Sequence, residues 1–225
     1  VITTGGHFGY LKIAEGCDKH CTYCIIPSLR GKFRSVPEER LLKQAEYMAS
    51  QGVKELILVA QETTVYGTDL YGKKTLHLLL KKLCQIRGIR WIRVLYCYPE
   101  EIYDELIQVM KEEPKICHYL DLPIQHASDK ILRRMGRRTS KQQLIDIITK
   151  LRCEIPDIVL RTSLITGFPG ETEEDHQELM EFVDEMEFDR LGVFTYSPEE
   201  GTPAETMEGQ VPEEVKEARR DEIME

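Results

Sequence analysis

The chain has 225 residues, a formal net charge of −9, and 31% charged against 41% hydrophobic residues. This composition indicates a soluble globular domain with a sizeable core, and the acidic balance argues against broad, sequence-blind binding to nucleic acid. No run of about 18 apolar residues is present, which excludes a membrane-spanning helix.

The two ends of the chain lead to expectations about location and domain organisation. Residues 1–6 contain no basic stretch followed by an apolar one, so no secretory signal peptide is predicted and a cytoplasmic location is expected. The chain has no initiator methionine, and residues 213–225 end inside a predicted helix. We therefore expect a single domain over residues 1–225 that belongs to a longer protein.

Short β-rich runs alternate with amphipathic helical patterns along the chain. Strands are predicted at 10–14, 56–60, 91–97, 118–124, 158–166 and 190–196, and helices at 37–50, 76–83, 101–111, 128–135, 140–152 and 173–186. Thr172, followed by three acidic residues, is a helix-capping signal. The alternation predicts an α/β fold with a parallel sheet, either a barrel or a doubly wound sheet. In both, the functional loops lie at the carboxyl ends of the strands.

Three of the seven cysteines lie in one loop directly after the first predicted strand. The loop reads GCDKHCTYCIIP over residues 16–27, which gives Cys17, Cys21 and Cys24 a C-x3-C-x2-C spacing. Thiolates suit zinc and iron–sulfur clusters. A structural zinc site takes four protein ligands, for which His20 is the available fourth, and a fully ligated electron-transfer cluster needs a fourth cysteine. Three thiolates on a four-iron cluster leave one iron open to a small molecule, which is the favoured interpretation.

This loop, with the aromatic Tyr23 just before its last cysteine, resembles that of the radical S-adenosylmethionine enzymes. The resemblance implies a partial (β/α)6 barrel, a 4Fe-4S cluster on Cys17, Cys21 and Cys24, and S-adenosylmethionine on the open iron. It also implies that Glu62 accepts hydrogen bonds from the methionyl amino group and that Arg137 pairs with the carboxylate of the cofactor. The residues that it implies in cofactor binding are Tyr23, Glu62, Gln125, Arg137, Ser163 and Gly167.

Longer segments are similar to the methylthiotransferases within that superfamily, namely 16–27 with 30–31, 132–135 with Arg137, 167–172 and 196–204. Three others, 59–64 with 66–67, 96–99 and 119–128, favour the branch that modifies an aspartate of a small-subunit ribosomal protein. The other branch, which modifies an adenosine in tRNA, is the alternative. A non-catalytic zinc-binding scaffold is the alternative of a different class.

The resemblance implies that a deoxyadenosyl radical removes hydrogen from the β-carbon of the aspartate, which then receives a methylthio group. It implies a low-potential electron donor as a partner. It also implies an N-terminal domain, with a second 4Fe-4S cluster that delivers the sulfur, and a small C-terminal β-barrel domain. Neither of these domains lies in residues 1–225.

Overall fold

The core of the structure, a computed structural model that describes residues 6–225, is one parallel sheet of six strands. In sheet order the strands are β1 (Phe8–Lys12), β4 (Glu55–Val59), β5 (Trp91–Val94), β6 (Ile116–Asp121), β7 (Val159–Thr166) and β8 (Arg190–Thr195). Sheet order follows chain order without reversal, so successive right-handed crossovers put the helices on one face. That winding belongs to a barrel, and the sheet stays open between β1 and β8. The predicted partial (β/α)6 barrel is confirmed.

Helices alternate with the strands of this sheet along the chain. They are α1 (Ile26–Arg30), α2 (Glu38–Ser50), α3 (Thr68–Tyr71), α4 (Leu76–Cys84), α5 (Asp104–Glu112), α6 (Asp129–Arg134), α7 (Lys141–Glu154), α8 (Glu173–Met186) and α9 (Glu213–Met224). Burial alternates along β7, where Leu160 and Leu164 are buried while Arg161 and Ser163 are half-buried on the opposite, concave face. None of the described helices combines the length and apolarity that a membrane crossing requires. Residues 1–5, and with them most of the stretch for which no signal peptide is predicted, lie outside the described residues.

The predicted helix cap before α8 is present and extends into an ionic cluster. Thr172 and Asp175 form a reciprocal capping box at the start of α8. Asp175 also accepts a hydrogen bond from Ser128 Oγ at 2.7 Å and pairs with Lys130 Nζ at 2.5 Å. Burial alone would raise the pKa of the Asp175 carboxyl, but these partners outweigh it and lower the pKa to about 2.

The chain leaves the sheet earlier than its hydrophobic pattern predicts at the first strand. β1 ends at Lys12, and the chain turns away to form β2 (Ala14–Glu15), which pairs antiparallel with β3 (Arg34–Ser35) in a separate two-stranded ribbon. The buried Ile13 links the two, because its N–H donates to Val59 O at 3.0 Å and its carbonyl accepts from Val36 N at 2.8 Å. The ribbon closes the base of the cysteine loop, which lies between β2 and β3.

β5, which is predicted over 91–97, also ends before its predicted limit. β5 stops at Val94, and Tyr96 adopts a left-handed backbone conformation with φ 57°. A non-glycine residue with positive φ cannot continue a strand. The chain after Tyr96 therefore turns toward the cysteine loop, and a single 3₁₀ turn, Pro99–Glu101, precedes α5.

Candidate functional site

The cysteine loop is held from two sides by backbone hydrogen bonds. Cys17 N donates to Gly31 O at 3.2 Å, and Gly16 N donates to Gln61 Oε1 at 2.9 Å. Gly16 has φ +81°, and a Cβ there would lie 2.3 Å from Lys32 O, so this position accepts only glycine. The start of the loop is thus fixed against the segment that returns to β3.

The end of α6 supports the middle of the same loop. Thr22 N donates to Met135 O at 2.9 Å, and Thr22 Oγ1 donates to Arg134 O at 2.7 Å. Gly136, with φ +72°, packs so closely that a Cβ would lie 2.6 Å from His20 O. Contacts more than a hundred residues apart in sequence therefore set the shape of the loop.

The three thiols are largely shielded from solvent. Cys17 and Cys21 are each 7% exposed, and Cys24 is half-buried. Burial raises the pKa of the Cys17 and Cys24 thiols, so they ionise readily only when a metal centre takes up the charge. Within residues 6–225, no three His, Cys, Asp or Glu side chains are gathered as closely as a single metal ion requires.

A cavity of about 420 Å³ opens beside Cys17 and Cys21. Its lining also includes Glu62, Tyr98 and Arg137, which come from the carboxyl ends of β4 and β5 and from the turn after α6. The parallel strands thus present their functional loops at one edge, as the alternation of strands and helices predicts.

Glu62 is a buried carboxylate with one oxygen left unpaired. Its side chain is 1% exposed, and Oε1 accepts from Thr64 N at 3.1 Å, from the Thr64 hydroxyl and from Tyr98 N at 3.4 Å. Oε2 has no hydrogen-bond partner among the described residues. Burial raises the pKa of Glu62 to about 7, although the Thr64 hydrogen bond and the Lys19 charge oppose the rise.

Arg137 is a buried cation with unused donors. It is 5% exposed, its Nη2 donates to Pro123 O at 2.7 Å, and its guanidinium carbon lies 4.2 Å from the centroid of the Tyr98 ring. Its Nε and Nη1 have no partner in the described part of the chain. A buried cation with free N–H groups calls for an anionic ligand, and a carboxylate fits the planar fork.

The site therefore fits the group that the sequence resemblance implies. Glu62 offers an acceptor for an ammonium, and Arg137 offers donors for a carboxylate. Cys17 and Cys21 in the same cavity, and Cys24 in the same loop, offer thiols as soft ligands for iron. An amino acid moiety bound beside a thiolate-held cluster satisfies both unpaired groups together.

Two tyrosines lie next to the thiols. The Tyr23 ring packs edge-on against Phe168 at a centroid distance of 6.3 Å, and burial raises the pKa of its hydroxyl while the Arg137 charge opposes the rise. Tyr98 Oη lies 3.2 Å from Cys21 Sγ. Sequence reasoning used Tyr98 only to separate two enzyme branches and missed it as a site residue.

Three further predicted cofactor residues lie along β6 and β7. Gln125 has φ +73°, and its N–H donates to Ser163 O at 2.9 Å. Ser163 Oγ accepts from Arg161 Nη1 at 3.2 Å on the concave face. As far as residues 6–225 show, Gln125, Ser163 and Gly167 are not part of the cavity lining beside the thiols, and their cofactor roles stay predictions.

Gly167 is approached by α9. It has φ +70°, and a Cβ there would lie 2.2 Å from Lys216 Cγ. Its N–H donates to Glu171 Oε1 at 2.9 Å. The backbone at Gly167 is thus closely packed, but the neighbour in this structure is a side chain of α9.

Glu171 ties α9 to the carboxyl edge of the barrel. Its Oε2 lies 2.8 Å from His126 Nε2, and its Oε1 accepts from Arg219 Nη1 at 2.8 Å. Burial would raise the pKa of the Glu171 carboxyl, but the His126 hydrogen bond and the neighbouring charges hold it below its ordinary value. This buried network fixes the loop between β7 and α8, which also carries Gly167.

Comparison with known proteins gives the same picture. The family model described as the radical SAM superfamily matches residues 11–183. The chain is 70% identical over 225 residues to the ribosomal protein uS12 methylthiotransferase RimO of Lachnoclostridium phytofermentans, with 100% of this chain and 51% of that protein covered. It is 60% identical over 224 residues to the protein of the same name from Clostridium perfringens, with 100% of this chain and 50% of that protein covered. The chain thus spans about half the length of the curated relatives it matches.

Solved structures agree on the fold. The radical S-adenosylmethionine methyltransferase TsrM from Kitasatospora setae, solved with cobalamin and a [4Fe-4S] cluster bound, is similar with a TM-score of 0.72 at 16% identity, covering 89% of this chain and 39% of that one. Methylornithine synthase (PylB) is similar with a TM-score of 0.62 at 14% identity, covering 97% of this chain and 62% of that one. Since the family model covers most of the sheet and all three cysteines, the chain belongs to the radical SAM superfamily.

Proposed function

We propose that this chain is the radical-generating core of a methylthiotransferase that modifies the β-carbon of an aspartate in a small-subunit ribosomal protein. The observation that carries the proposal is the unpaired Glu62 carboxylate and Arg137 guanidinium in one cavity with Cys17 and Cys21. The substrate is inferred from the relatives named as ribosomal protein uS12 methylthiotransferases, at 70% and 60% identity.

Cys17, Cys21 and Cys24 would hold a 4Fe-4S cluster, and Glu62 with Arg137 would hold the amino acid end of S-adenosylmethionine. When bound, the cluster and S-adenosylmethionine would supply a deoxyadenosyl radical through one-electron reduction of the sulfonium, which is chemistry that no side chain provides. The chain contributes ligands, orientation and shielding from solvent.

Orientation comes from two opposite charges held at fixed places. Glu62 Oε1 is fixed by Thr64 and Tyr98, which leaves Oε2 as the acceptor for an ammonium. Arg137 is fixed by Pro123 O, which leaves Nε and Nη1 as donors for a carboxylate. A ligand held through both its ammonium and its carboxylate has its amino acid end fixed before the reaction begins, and this lowers the barrier of the chemical step. The burial around Cys17 and Cys21 shields the site from solvent and from external thiols, which would quench a radical.

The remaining parts of the proposal concern regions and partners beyond this domain. The relatives have about as much length again outside the matched part. We infer that the whole protein adds an N-terminal domain with a second 4Fe-4S cluster and a small C-terminal β-barrel, and that it works with a low-potential electron donor. Free thiols that must bind iron require a reducing compartment, so the proposed location is the cytoplasm.

Anaerobic reconstitution of this chain with iron and sulfide tests the cluster. We expect about four irons per chain and a brown protein. The Cys24→Ala variant should lose the cluster, whereas Cys153→Ala, at an exposed cysteine on α7, should retain it. About eight irons per chain would contradict a single cluster, and a colourless protein with stoichiometric zinc would favour the scaffold.

The substrate is tested with the full-length enzyme, which is offered tRNA and the ribosomal protein side by side. We expect a mass increase on the aspartate of the protein and none on the tRNA. Modification of adenosine alone would replace this proposal by the tRNA branch.

A further inference from the structure

Tyr98 touches three of the groups that make up the proposed cofactor site. Its hydroxyl lies 3.2 Å from Cys21 Sγ, and its ring centroid lies 4.2 Å from the guanidinium carbon of Arg137. Its backbone N–H donates to Glu62 Oε1 at 3.4 Å. Lys19 Nζ lies 5.0 Å from the same ring centroid. In the described part of the chain, this one residue contacts the cluster side and the S-adenosylmethionine side of the cavity.

We propose that Tyr98 is a positioning residue, whose hydroxyl orients the Cys21 sulfur and whose ring holds the Arg137 guanidinium for the cofactor carboxylate. This inference rests on the proposed function, because it assigns Tyr98 a part in that same site. The two halves of Tyr98 have separate effects, and separate substitutions can measure them.

The hydroxyl acts on the cluster through the sulfur of Cys21. A ligating cysteine is a thiolate without a proton, so the phenol of Tyr98 must be the donor across the 3.2 Å contact. Hydrogen bonds to ligand sulfurs are one of the ways in which a protein sets the reduction potential of an iron–sulfur cluster. A donated hydrogen bond withdraws electron density from the sulfur and stabilises the reduced, more negative cluster. Loss of the Tyr98 hydroxyl should therefore lower the potential.

The ring acts on Arg137. A buried guanidinium loses hydration, and the face of an aromatic ring compensates part of that loss without using an N–H group. Because the Tyr98 ring stabilises the cation at 4.2 Å, Nε and Nη1 of Arg137 stay available for a ligand. An aliphatic side chain at position 98 would leave Arg137 free to turn toward other acceptors.

The backbone conformation of the residues before Tyr98 directs its side chain toward the thiols. Tyr96 has φ 57°, a conformation that costs a non-glycine residue about 1 kcal/mol. Thr63 stabilises it, since Thr63 N and Oγ1 both donate to Tyr96 O, at 3.1 Å and 3.0 Å. Cys97 N then donates to Asp121 O at 2.9 Å, which turns the chain so that Tyr98 reaches the thiols.

The test compares Tyr98→Phe, which removes only the hydroxyl, with Tyr98→Leu, which removes the ring as well. Tyr98→Met is a second aliphatic variant in case the leucine variant does not fold. Tyr103→Phe is the matched control, because this half-buried tyrosine bonds to His77 and contacts neither Cys21 nor Arg137. In each reconstituted protein, the cluster potential is measured by redox titration followed by electron paramagnetic resonance. Equilibrium affinity for S-adenosylmethionine is measured by calorimetry.

We expect Tyr98→Phe to lower the cluster potential and to keep the affinity for S-adenosylmethionine within about twofold, since the ring is retained. The aliphatic variants should lower the potential similarly and weaken the affinity about tenfold to thirtyfold, the size of a partly to fully desolvated cation–π contact. Tyr103→Phe should change neither quantity.

An unchanged potential in Tyr98→Phe, beside a wild-type chain that holds its cluster, would overturn the role of the hydroxyl alone. Equal affinities in the phenylalanine and aliphatic variants would overturn the role of the ring. A wild-type chain that takes up no cluster would overturn the proposed function, and this inference with it.

Discussion

Replacing the buried Glu62 by glutamine should stabilise the chain at alkaline pH. Burial moves the pKa of Glu62 from its ordinary 4.5 to about 7, and the hydrogen bond from Thr64 and the charge of Lys19 compensate only in part. Each unit of pKa corresponds to about 1.4 kcal/mol, so ionised Glu62 costs the folded chain about 3 kcal/mol above pH 7. The folded chain retains the proton where the unfolded chain has lost it. The contribution of Glu62 to stability is therefore most favourable below pH 4.5 and falls as the pH rises to 7.

Glutamine does not ionise and keeps an acceptor oxygen for Thr64 and Tyr98. In the apo chain, Glu62→Gln should therefore match the wild type near pH 4 and exceed it by up to about 3 kcal/mol at pH 8. Urea unfolding at both pH values, with the slope checked for two-state behaviour, measures this difference. The control is Glu46→Gln, at an exposed position on α2. An advantage of equal size at both pH values, or none at pH 8, would refute the reasoning. The same variant should bind S-adenosylmethionine at least tenfold more weakly, because the charge-assisted hydrogen bond to the ammonium is lost.

Three further predictions test other parts of the structure. Gly136→Ala and Gly72→Ala both place a non-glycine residue in the left-handed backbone region, with φ +72° and +71°, so the conformational free energy that they cost is the same. In Gly136→Ala the new Cβ would lie 2.6 Å from His20 O in the cysteine loop, whereas in Gly72→Ala it meets nothing among the described residues. Only Gly136→Ala should therefore impair cluster uptake, which is measured as iron per chain. Asp175→Asn should lower the free energy of unfolding by about 2 kcal/mol at pH 7. The loss should shrink as the pH falls from 4 toward 2, because the wild-type carboxylate itself loses this stabilisation over that range. Arg219→Met should lower the free energy of unfolding, measured in urea, by about 3 kcal/mol, because it breaks the buried pair with Glu171. A loss below about 1 kcal/mol would contradict that pairing.

The architecture was accessible from sequence because each strand–helix unit carries its own hydrophobic pattern. The alternation predicts the six parallel strands, and Thr172 predicts the start of α8. Local patterns do not carry the ribbon of β2 and β3, which has two residues in each strand and depends on pairing across the cysteine loop. The left-handed turn at Tyr96, which ends β5 early, is likewise fixed by contacts with Thr63 and not by any residue preference of tyrosine.

The candidate site shows the same division. Cys17 and Cys21 were predicted from their spacing, and Glu62 from the resemblance to the radical S-adenosylmethionine enzymes. The structure places all three at one cavity. The close packing of Gly167 could be anticipated from its residue type, but its neighbour Lys216 could not, since the two are far apart in sequence. Tyr98 was missed for a similar reason, because nothing in its local sequence points to Cys21 or Arg137.

Several unfavourable features of the described structure lie together at the carboxyl edge of the barrel. The unpaired Glu62 and Arg137, and the left-handed Tyr96 and Gln125, all follow the ends of strands or the turn after α6. Buried charges such as those of Glu62 and Arg137 lower the stability of the fold when no ligand is bound, and a ligand that carries the opposite charges compensates them. A ligand that binds only the folded state also raises stability by mass action. S-adenosylmethionine should therefore stabilise wild-type reconstituted protein more than it stabilises Glu62→Gln. Glu62→Gln, which is more stable than the wild type without ligand, should be stabilised less than the wild type when S-adenosylmethionine binds. That outcome would link the cost of burying Glu62 to its role in binding.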